Sequence, residues 1–492
     1  MSTPRIAISA PDGDVTYEQL DEAASRVASA LLAGRDDLGG ARVAFLVPPS
    51  FAYAAVLRGT WRAGGVAVPL AVSHPPAEID YVIRDAEADV VVAAPGYRPV
   101  LAPLCAAAGV RLITTDEALA APALAAHPHL GAGRRALIIY TSGTTGRPKG
   151  VVTTHAGLGA QVSALVSAWG WTPADRILLV LPLHHVHGLV NGLITALAVG
   201  GTCEMLPAFD AGAVWRRLAS GDITVFTAVP TIYLRLIAAW EAAPPDVQRA
   251  WSAGAGRLRL MMSGSAALPV TTLERWRAIT GHTLLERYGM TELGMALSNP
   301  LDGERRPGSV GAPLPGVEVR LVRESGDVIP DDAEPGELEV RGATVFLEYW
   351  RRPEETQVAF RDGWFRTGDV AVRDRGAYRL LGRTSVDIIK TGGYKVSALE
   401  IEEVLRRHPA VAECAVVGVA DAEWGERVSA VVEARPDAPL SLELLQAWAR
   451  EELAPYKVPR ALRIVEALPR NAMGKVVKPE LAALLAAAEP ER

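Results

Sequence analysis

The sequence predicts an α/β protein with a large N-terminal domain and a small C-terminal one, and three observations carry that prediction. Strand-sized apolar runs alternate with amphipathic helical segments from Asp14 to Met262, the pattern of a largely parallel sheet covered by helices. From Pro307 to Arg341 the pattern changes to short apolar alternations between Pro/Gly turns, such as Val317 to Leu321 and Glu337 to Val340, which read as antiparallel β structure. After Gly382-Arg383 small α and β elements restart, enough for a domain of about a hundred residues. The division is placed between residues 384 and 385, giving domains 1–384 and 385–492.

The elements follow in order. Asp14 to Thr16 ends a strand, and a helix runs from there to about Leu32 with Leu20, Ala24, Val27 and Leu31 on one face. Arg42 to Val47 is a strand, Pro48-Pro49-Ser50 a turn, and Phe51 to Gly64 a helix ending at paired glycines. Val66 to Leu70, Val90 to Ala94 and Arg111 to Thr114 are further strands, and Ala118 to Gly133 is a loose connector. Ala136 to Tyr140 is a buried strand, and a helix covers Leu158 to Trp169. Arg176 to Leu181, Thr202 to Leu206, Thr224 to Val229 and Arg257 to Met262 continue the alternation. Leu462 to Val465 is a short apolar run before a terminal Ala-rich helix.

Composition narrows the function. The chain has 492 residues, 49% hydrophobic, with a net charge of −6, so a large core is available and no basic field invites nucleic acid or an anionic membrane. Cys105, Cys203 and Cys414 make neither a disulfide framework nor a metal-ligand spacing and fit a reducing compartment. Apolar stretches are interrupted well before the length of a transmembrane helix, and the first residues lack a signal core or transit segment, so a cytoplasmic location is expected.

Five segments carry chemistry. Tyr140 to Gly150, Y-T-S-G-T-T-G-R-P-K-G, holds three glycines, four hydroxyls and Lys149, the composition that wraps a polyphosphate. It is not the G-x-x-x-x-G-K-[ST] loop, because Pro148 precedes Lys149 and Gly150 follows it. In Glu286 to Glu292, E-R-Y-G-M-T-E, Tyr288 offers a flat face to a base, Thr291 a hydroxyl to phosphate, and Glu292 a hard oxygen to magnesium. In Phe365 to Asp369, Asp369 could accept from ribose hydroxyls. Gly382 to Val396 and Pro469 to Lys475 each present lysine on a glycine turn. Taken singly, each has a plainer alternative: a Gly/Ser/Thr-rich surface loop, a strand-to-loop junction with a surface glutamate, a β-turn, and linkers with a turn and a solvated lysine.

Together and in this order, the five segments resemble the adenylate-forming superfamily of acyl-CoA synthetases, luciferases and peptide-synthetase adenylation domains. Arg62 to Leu70 and Leu181 to Gly188 (L-P-L-H-H-V-H-G) are similar to two more of its signatures. The resemblance implies a β-barrel-like part in the large domain and a mobile C-terminal domain. It implies ATP, Mg2+ and coenzyme A as cofactor and co-substrates: a carboxylate attacks the α-phosphate of ATP, and a thiol then displaces AMP. Attack of one anion on another calls for charge neutralisation and alignment, which explains the lysines and backbone donors. By resemblance Thr141, Ser142, Gly143, Thr144, Thr145, Gly146 and Lys149 hold the β- and γ-phosphates. Glu292 and Thr291 serve magnesium and phosphate, with Thr144 as a second metal ligand. Gly264, Ser265, Ala266 and Ala267 with Tyr288 frame adenine; Glu286, Arg287, Gly289 and Met290 belong to the same nucleotide-binding segment; Asp369 and Arg383 hold the ribose. Lys475 bridges the attacking carboxylate and the α-phosphate, and Lys475, Glu292, Lys149 and Thr291 form the catalytic set. For the thiol step the small domain swings and brings in Lys390, Gly392, Gly393 and Lys395. Ser385 stands where the family usually has a hinge Asp or Lys.

The acid is read from charge. A buried cation is costly in an apolar acyl tunnel unless it meets an anion. Arg287 sits inside the adenylate motif where the wider family is usually neutral, and Arg235 lies on the helix expected to border the acyl pocket. A guanidinium takes a carboxylate by two parallel hydrogen bonds. His185, His187 and Ser263 complete the expected substrate set. The alternatives are a salt bridge from Arg287 to Glu286 or Glu292, a solvated Arg235, and histidines that pack and cap. The runs Gly281 to Ser298 and Leu183 to Gly188 resemble the malonyl-CoA and methylmalonyl-CoA synthetase branch, particularly its mitochondrial type. The expected activity is therefore ligation of malonate or methylmalonate to coenzyme A, by a monomer or weak homodimer with small-molecule partners only. Rival readings are a monocarboxylate CoA ligase with a structural Arg287, an adenylation module loading a carrier protein in trans, and a non-catalytic nucleotide binder.

Overall fold

A computed structural model describes residues 4–124, 126–141, 147–330, 332–436, 438–471 and 475–486. Its strands form four sheets. The first runs, edge to edge, Ala312–Pro313, Gly294–Ser298, Leu285–Met290, Leu260–Ser263, Val225–Ala228, Arg176–Leu179, Thr202–Met205, Ile6–Ala10 and Gly13–Thr16. The pairs from Leu285–Met290 through Ile6–Ala10 are parallel, as the strand–helix alternation predicts. The second sheet runs Glu348–Tyr349, Lys149–Thr154, Arg135–Thr141, Val66–Pro69, Arg42–Leu46, Val90–Ala93 and Arg111–Thr114. The third, antiparallel, holds Val317–Val322, Gly336–Gly342, Phe360–Arg361, Trp364–Asp374 and Ala377–Arg383. The fourth contains Ile388–Thr391, Tyr394–Ser397, Val411–Asp421, Gly425–Ala434 and Ala461–Val465, all beyond residue 384.

The first helix shows how the sequence sets local structure. Thr16 accepts from the Gln19 backbone N–H while the Gln19 side chain accepts from Thr16 N–H, a capping box that satisfies two orphan donors. Tyr17–Leu32 then buries Leu20, Ala24, Val27 and Leu31, the four residues its period assigns to one face. Each such burial is worth about 1.5–3 kcal/mol for Leu or Val. The helix Phe51–Arg62 packs against it at Gly59, where a Cβ would come to 2.6 Å from the Val27 Cβ.

The strand Leu285–Met290 matters most for the site. Side chains alternate faces along a strand, so Leu285 and Arg287 point one way and Glu286 and Tyr288 the other. Its pairing with Gly294–Ser298 shifts register between Tyr288 and Gly289, a bulge that re-aims the turn leading to Glu292. The strand begins at Leu285, two residues after the strand-like Thr283 of the sequence reading, and runs through the whole E-R-Y-G-M motif. An eight-residue π-helix, His187–Ile194, was outside the sequence prediction.

Candidate active site

The parallel strands Val225–Ala228, Leu260–Ser263 and Leu285–Met290 are neighbours, in register Ala228↔Ser263 and Ser263↔Glu286. Their carboxyl ends, where open α/β sheets place ligands, bring together Thr227, Ser263, Gly264 and Arg287. Arg287 is only 3% exposed, and none of Nε, Nη1 and Nη2 has a hydrogen-bond partner among the described residues. Neither salt bridge considered from the sequence forms. Glu286 lies on the opposite face, where its Oε1 accepts from Gly308 N–H at 3.2 Å, and Glu292 accepts from Tyr349 Oη at 3.0 Å. Burial pushes the Arg287 pKa down to about 10, so it remains a cation at neutral pH. Gly264 lies flat against it: a Cβ there would come to 1.9 Å from Nη1 and 2.5 Å from Cζ. The Ser263 hydroxyl is fully buried and also without a hydrogen-bond partner among the described residues.

Three histidines lie on the segment that follows Leu183, and His187 is the one near this cation. His187 is buried, with Nε2 2.7 Å from Thr227 Oγ1 and Nδ1 3.0 Å from Ser265 Oγ. Burial, then the nearby Arg287 charge and His185, hold it far below the ordinary histidine range, so it is neutral. His185 is pushed down to about 4 by burial, the Lys475 ammonium and His74. His184, which packs on His185 at 4.1 Å, is pushed down to about 3, chiefly by burial. A cavity of about 450 Å³ opens beside them, lined by Leu181, His185, His187, Phe209, Ile232 and Arg235 among others. Arg235 is exposed at this cavity and lies over the Phe209 ring at 5.9 Å. Of the two arginines, Arg235 lines this cavity, while Arg287 is buried outside its lining, near the lining residue His187.

The nucleotide-side candidates gather on the other face of the strand. Tyr288 donates its hydroxyl to Asp369 Oδ2 at 2.6 Å, and Arg383 Nε donates to Asp369 Oδ1 at 3.0 Å. Thr141 pairs with Lys149 across the hairpin of Arg135–Thr141 and Lys149–Thr154. Ser142, Gly143, Thr144, Thr145 and Gly146 lie outside the described residues. Lys149 forms an ion pair with Glu355 and lies over the Tyr349 ring at 5.2 Å, and the Tyr349 hydroxyl reaches Glu292. Burial raises the Glu292 pKa. Ala266 and Ala267 are exposed, and Ser265 adopts a left-handed backbone, φ 70°. Gly289 is closely packed, a Cβ there meeting Gly294 O at 2.0 Å. Met290 ends the strand and Thr291 opens the turn that follows, both half-buried.

Lys475 reaches this site from the C-terminal sheet's side. Its backbone N–H donates to Asn471 Oδ1 at 3.0 Å. The side chain touches water, yet enough protein surrounds the ammonium to lower its pKa, with Arg383 adding to the fall and Asp369 opposing it. The ammonium is also a near charge to His185. Asn471, which accepts from the Lys475 N–H, lines the cavity. The hairpin holding Lys390, Gly392, Gly393 and Lys395 lies elsewhere, with Lys395 paired to Glu324 and the Gly392 N–H donating to Trp424 O at 2.8 Å. Ser385 is exposed in the turn between Arg383 and Ile388.

Glu286 is a buried carboxyl within the segment expected to bind nucleotide. Burial, opposed by the Gly308 N–H and reinforced by Glu403, pushes its pKa up to about 8. A carboxyl whose folded pKa is raised contributes its full stability below the unfolded value of about 4.3, and loses it as pH rises through the folded value. Glu286→Gln is accordingly expected to melt above the wild type at pH 8.5, an advantage that shrinks to near zero by pH 5. Thermal denaturation at the two pH values checks it.

Thr227, Tyr349 and Glu355 escaped the sequence reading. Thr227 sits in an apolar strand run where threonine is ordinary, and the other two reach the site only through long-range pairing of Glu348–Tyr349 with Lys149–Thr154.

Comparison with known proteins follows the same lines. Residues 2–350 match the AMP-binding enzyme family and residues 400–475 the AMP-binding enzyme C-terminal domain. The chain is 50% identical over 474 residues to the mitochondrial malonate–CoA ligase ACSF3 of Xenopus laevis, covering 89% of this chain and 82% of the relative. It superposes on ATP-bound MatB from Rhodopseudomonas palustris with a TM-score of 0.91 and 39% identity, over 98% of this chain and 96% of that one. Against a malonyl-CoA ligase ternary product complex with methylmalonyl-CoA and AMP bound, also 39% identical, the TM-score is 0.69 over 95% and 97% of the two chains.

Proposed function

Because the chain belongs to the AMP-binding enzyme family, we propose that it ligates a short dicarboxylate, malonate or methylmalonate, to coenzyme A at the expense of ATP. A carboxylate oxygen attacks the α-phosphorus, the bond to the β-phosphate oxygen breaks, and pyrophosphate leaves. The coenzyme A sulfur then attacks the acyl carbon, the acyl–oxygen bond breaks, AMP departs, and the thiol proton passes to solvent. The observation that carries the choice of acid is the buried Arg287, without a hydrogen-bond partner among the described residues and near His187, which lines the cavity. Similarity to relatives named as malonate–CoA ligases supports it.

Each residue has a stated part. Arg287 clamps the carboxylate that does not react, and Arg235 draws the dianion to the cavity mouth. His185, held neutral, lines the path of the reacting carboxylate, and Ser263 offers a hydroxyl. Tyr288 and the Gly264 to Ala267 segment frame adenine, while Asp369 and Arg383 hold the ribose. Lys149 leaves Glu355 for the phosphates, joined by Thr141, Thr291 and the Ser142 to Gly146 segment. Lys475 spans the reacting carboxylate and α-phosphate, as its place among Arg383, Asp369 and His185 supports.

Magnesium fits Glu292. Its buried carboxylate, linked through Tyr349 to Lys149, suits an ion that takes one or two carboxylates and otherwise phosphate and water. Bound there, with Thr144 as the second protein ligand we assign, it would neutralise phosphate charge.

We divide the chain into units 1–384 and 385–492. The fourth sheet and two hydrophobic clusters contain only residues beyond 384, which supports the division. At equal identity the chain superposes better on the ATP-bound relative than on the product complex. That difference supports a small unit that turns about Ser385 and brings the Lys390 to Lys395 hairpin to the thioester step. Three buried free cysteines suit a reducing compartment, for which we take the cytoplasm, and we take a monomer or weak homodimer as the working unit. No helix among the described residues is long and apolar enough to cross a membrane.

The two-step scheme is tested by following pyrophosphate and AMP separately. With ATP, magnesium and malonate alone, a stoichiometric burst of pyrophosphate is expected; AMP and thioester should follow only when coenzyme A is added. No burst with any carboxylic acid would leave a nucleotide binder. A burst without thioester from free coenzyme A would point to a carrier protein as acceptor.

A further inference from the structure

An unbonded guanidinium is located only by what it packs against. Arg287 makes no hydrogen bond among the described residues, and the backbone of Gly264 lies against its Nη1 and Cζ. The position of Gly264 depends in turn on Ser265, which holds a left-handed backbone at φ 70°, a conformation that non-glycine residues adopt only at a cost. The side chain of Ser265 is tied at 3.0 Å to His187 Nδ1, and the other ring nitrogen is tied at 2.7 Å to Thr227 Oγ1. Thr227 is 1% exposed on the strand Val225–Ala228, paired in register with Met262 of Leu260–Ser263. A rigid strand therefore holds the ring, the ring holds the Ser265 kink, and the kink holds Gly264 against Arg287.

The same chain settles charge. With both nitrogens engaged by hydroxyls and a guanidinium nearby, His187 has no acid partner and stays neutral. An imidazolium beside Arg287 would repel that cation and compete for the incoming carboxylate.

We infer that Thr227 is a positioning residue for the dicarboxylate site, acting through His187 and Ser265 to place Gly264 and thereby Arg287. The inference rests on Arg287 being the carboxylate clamp. His187, expected from the sequence to bind substrate, becomes the central link of this support.

The test is a pair of variants read in steady state and by NMR. Thr227→Val keeps the shape and removes the hydroxyl; its KM for malonate should rise about fivefold to tenfold, the effect of one buried hydrogen bond. The KM for ATP and the kcat with malonate should stay within twofold, and Thr227→Ser should restore the wild-type KM. The 15N spectrum of the wild-type His187 ring should show one protonated nitrogen across pH 5.5–8.5, with both shifts moved in Thr227→Val. An unchanged malonate KM in Thr227→Val, an equal rise in the malonate and ATP KM values, or failure of Thr227→Ser to rescue would overturn the inference. If Thr227→Val does not fold, Thr227→Ala takes its place under the same criteria. Arg287→Ala separates the two levels: if it spares malonate, the clamp itself is wrong. If it damages malonate use while Thr227→Val is silent, only the present inference falls.

Discussion

Arg287→Ala will lower kcat/KM for malonate by about a hundredfold or more, while the KM for ATP changes by no more than a few-fold. Removing one partner of a buried, hydrogen-bonded charge pair costs about 2–5 kcal/mol, and each 1.4 kcal/mol is a factor of ten. The guanidinium is already stripped of water and of protein partners, so a carboxylate meets it without displacing a competing bond. The loss should be confined to dicarboxylates: butyrate, which has no second carboxylate, should be used as well as before or better. The variant should also melt higher than the wild type, because an uncompensated buried cation destabilises the empty protein. Reduced malonate use accompanied by lower stability and weaker ATP binding would instead describe a structural arginine.

Lys475→Ala will reduce adenylation about a thousandfold and leave the second half-reaction nearly intact. Lysine charge near a developing pentavalent phosphate is worth about 10²–10³ when it is preorganised and partly desolvated. The Lys475 ammonium has that setting, with burial and Arg383 lowering its pKa and Asp369 opposing them. Supplied with pre-made malonyl-adenylate and coenzyme A, the variant should form thioester at close to the wild-type rate, since the proposed reorientation takes Lys475 away before that step. Equal loss of both half-reactions would remove the reorientation of the small unit from the account.

What the sequence made legible was local. The face Leu20, Ala24, Val27, Leu31 of the first helix repeats at helical spacing and is buried as read. The strand runs Arg42–Leu46 and Arg111–Thr114 stand between clear turn signals. By contrast Ile6–Ala10 was not assigned, because it is held by parallel pairing with Thr202–Met205, nearly two hundred positions away. The π-helix His187–Ile194 has no residue signature that separates it from an ordinary apolar run. At the site, Arg287 was visible as a charge where the resembled family is usually neutral, whereas its freedom from Glu286 follows from strand alternation that only a fixed register makes certain. Thr227 was invisible for the opposite reason: threonine inside T-V-F-T-A-V is what a buried strand favours. Chemistry is easiest to see where a residue offends its surroundings, and hardest where it suits them.

The central claim is that a second carboxylate on the substrate, met by Arg287, selects the acid. The most direct measurement is kcat/KM for malonate against butyrate in one AMP-release assay with ATP, magnesium and coenzyme A. A preference for malonate of about a hundredfold or more, the scale of a buried charge contact, is the predicted result. Butyrate equal to or ahead of malonate would contradict it.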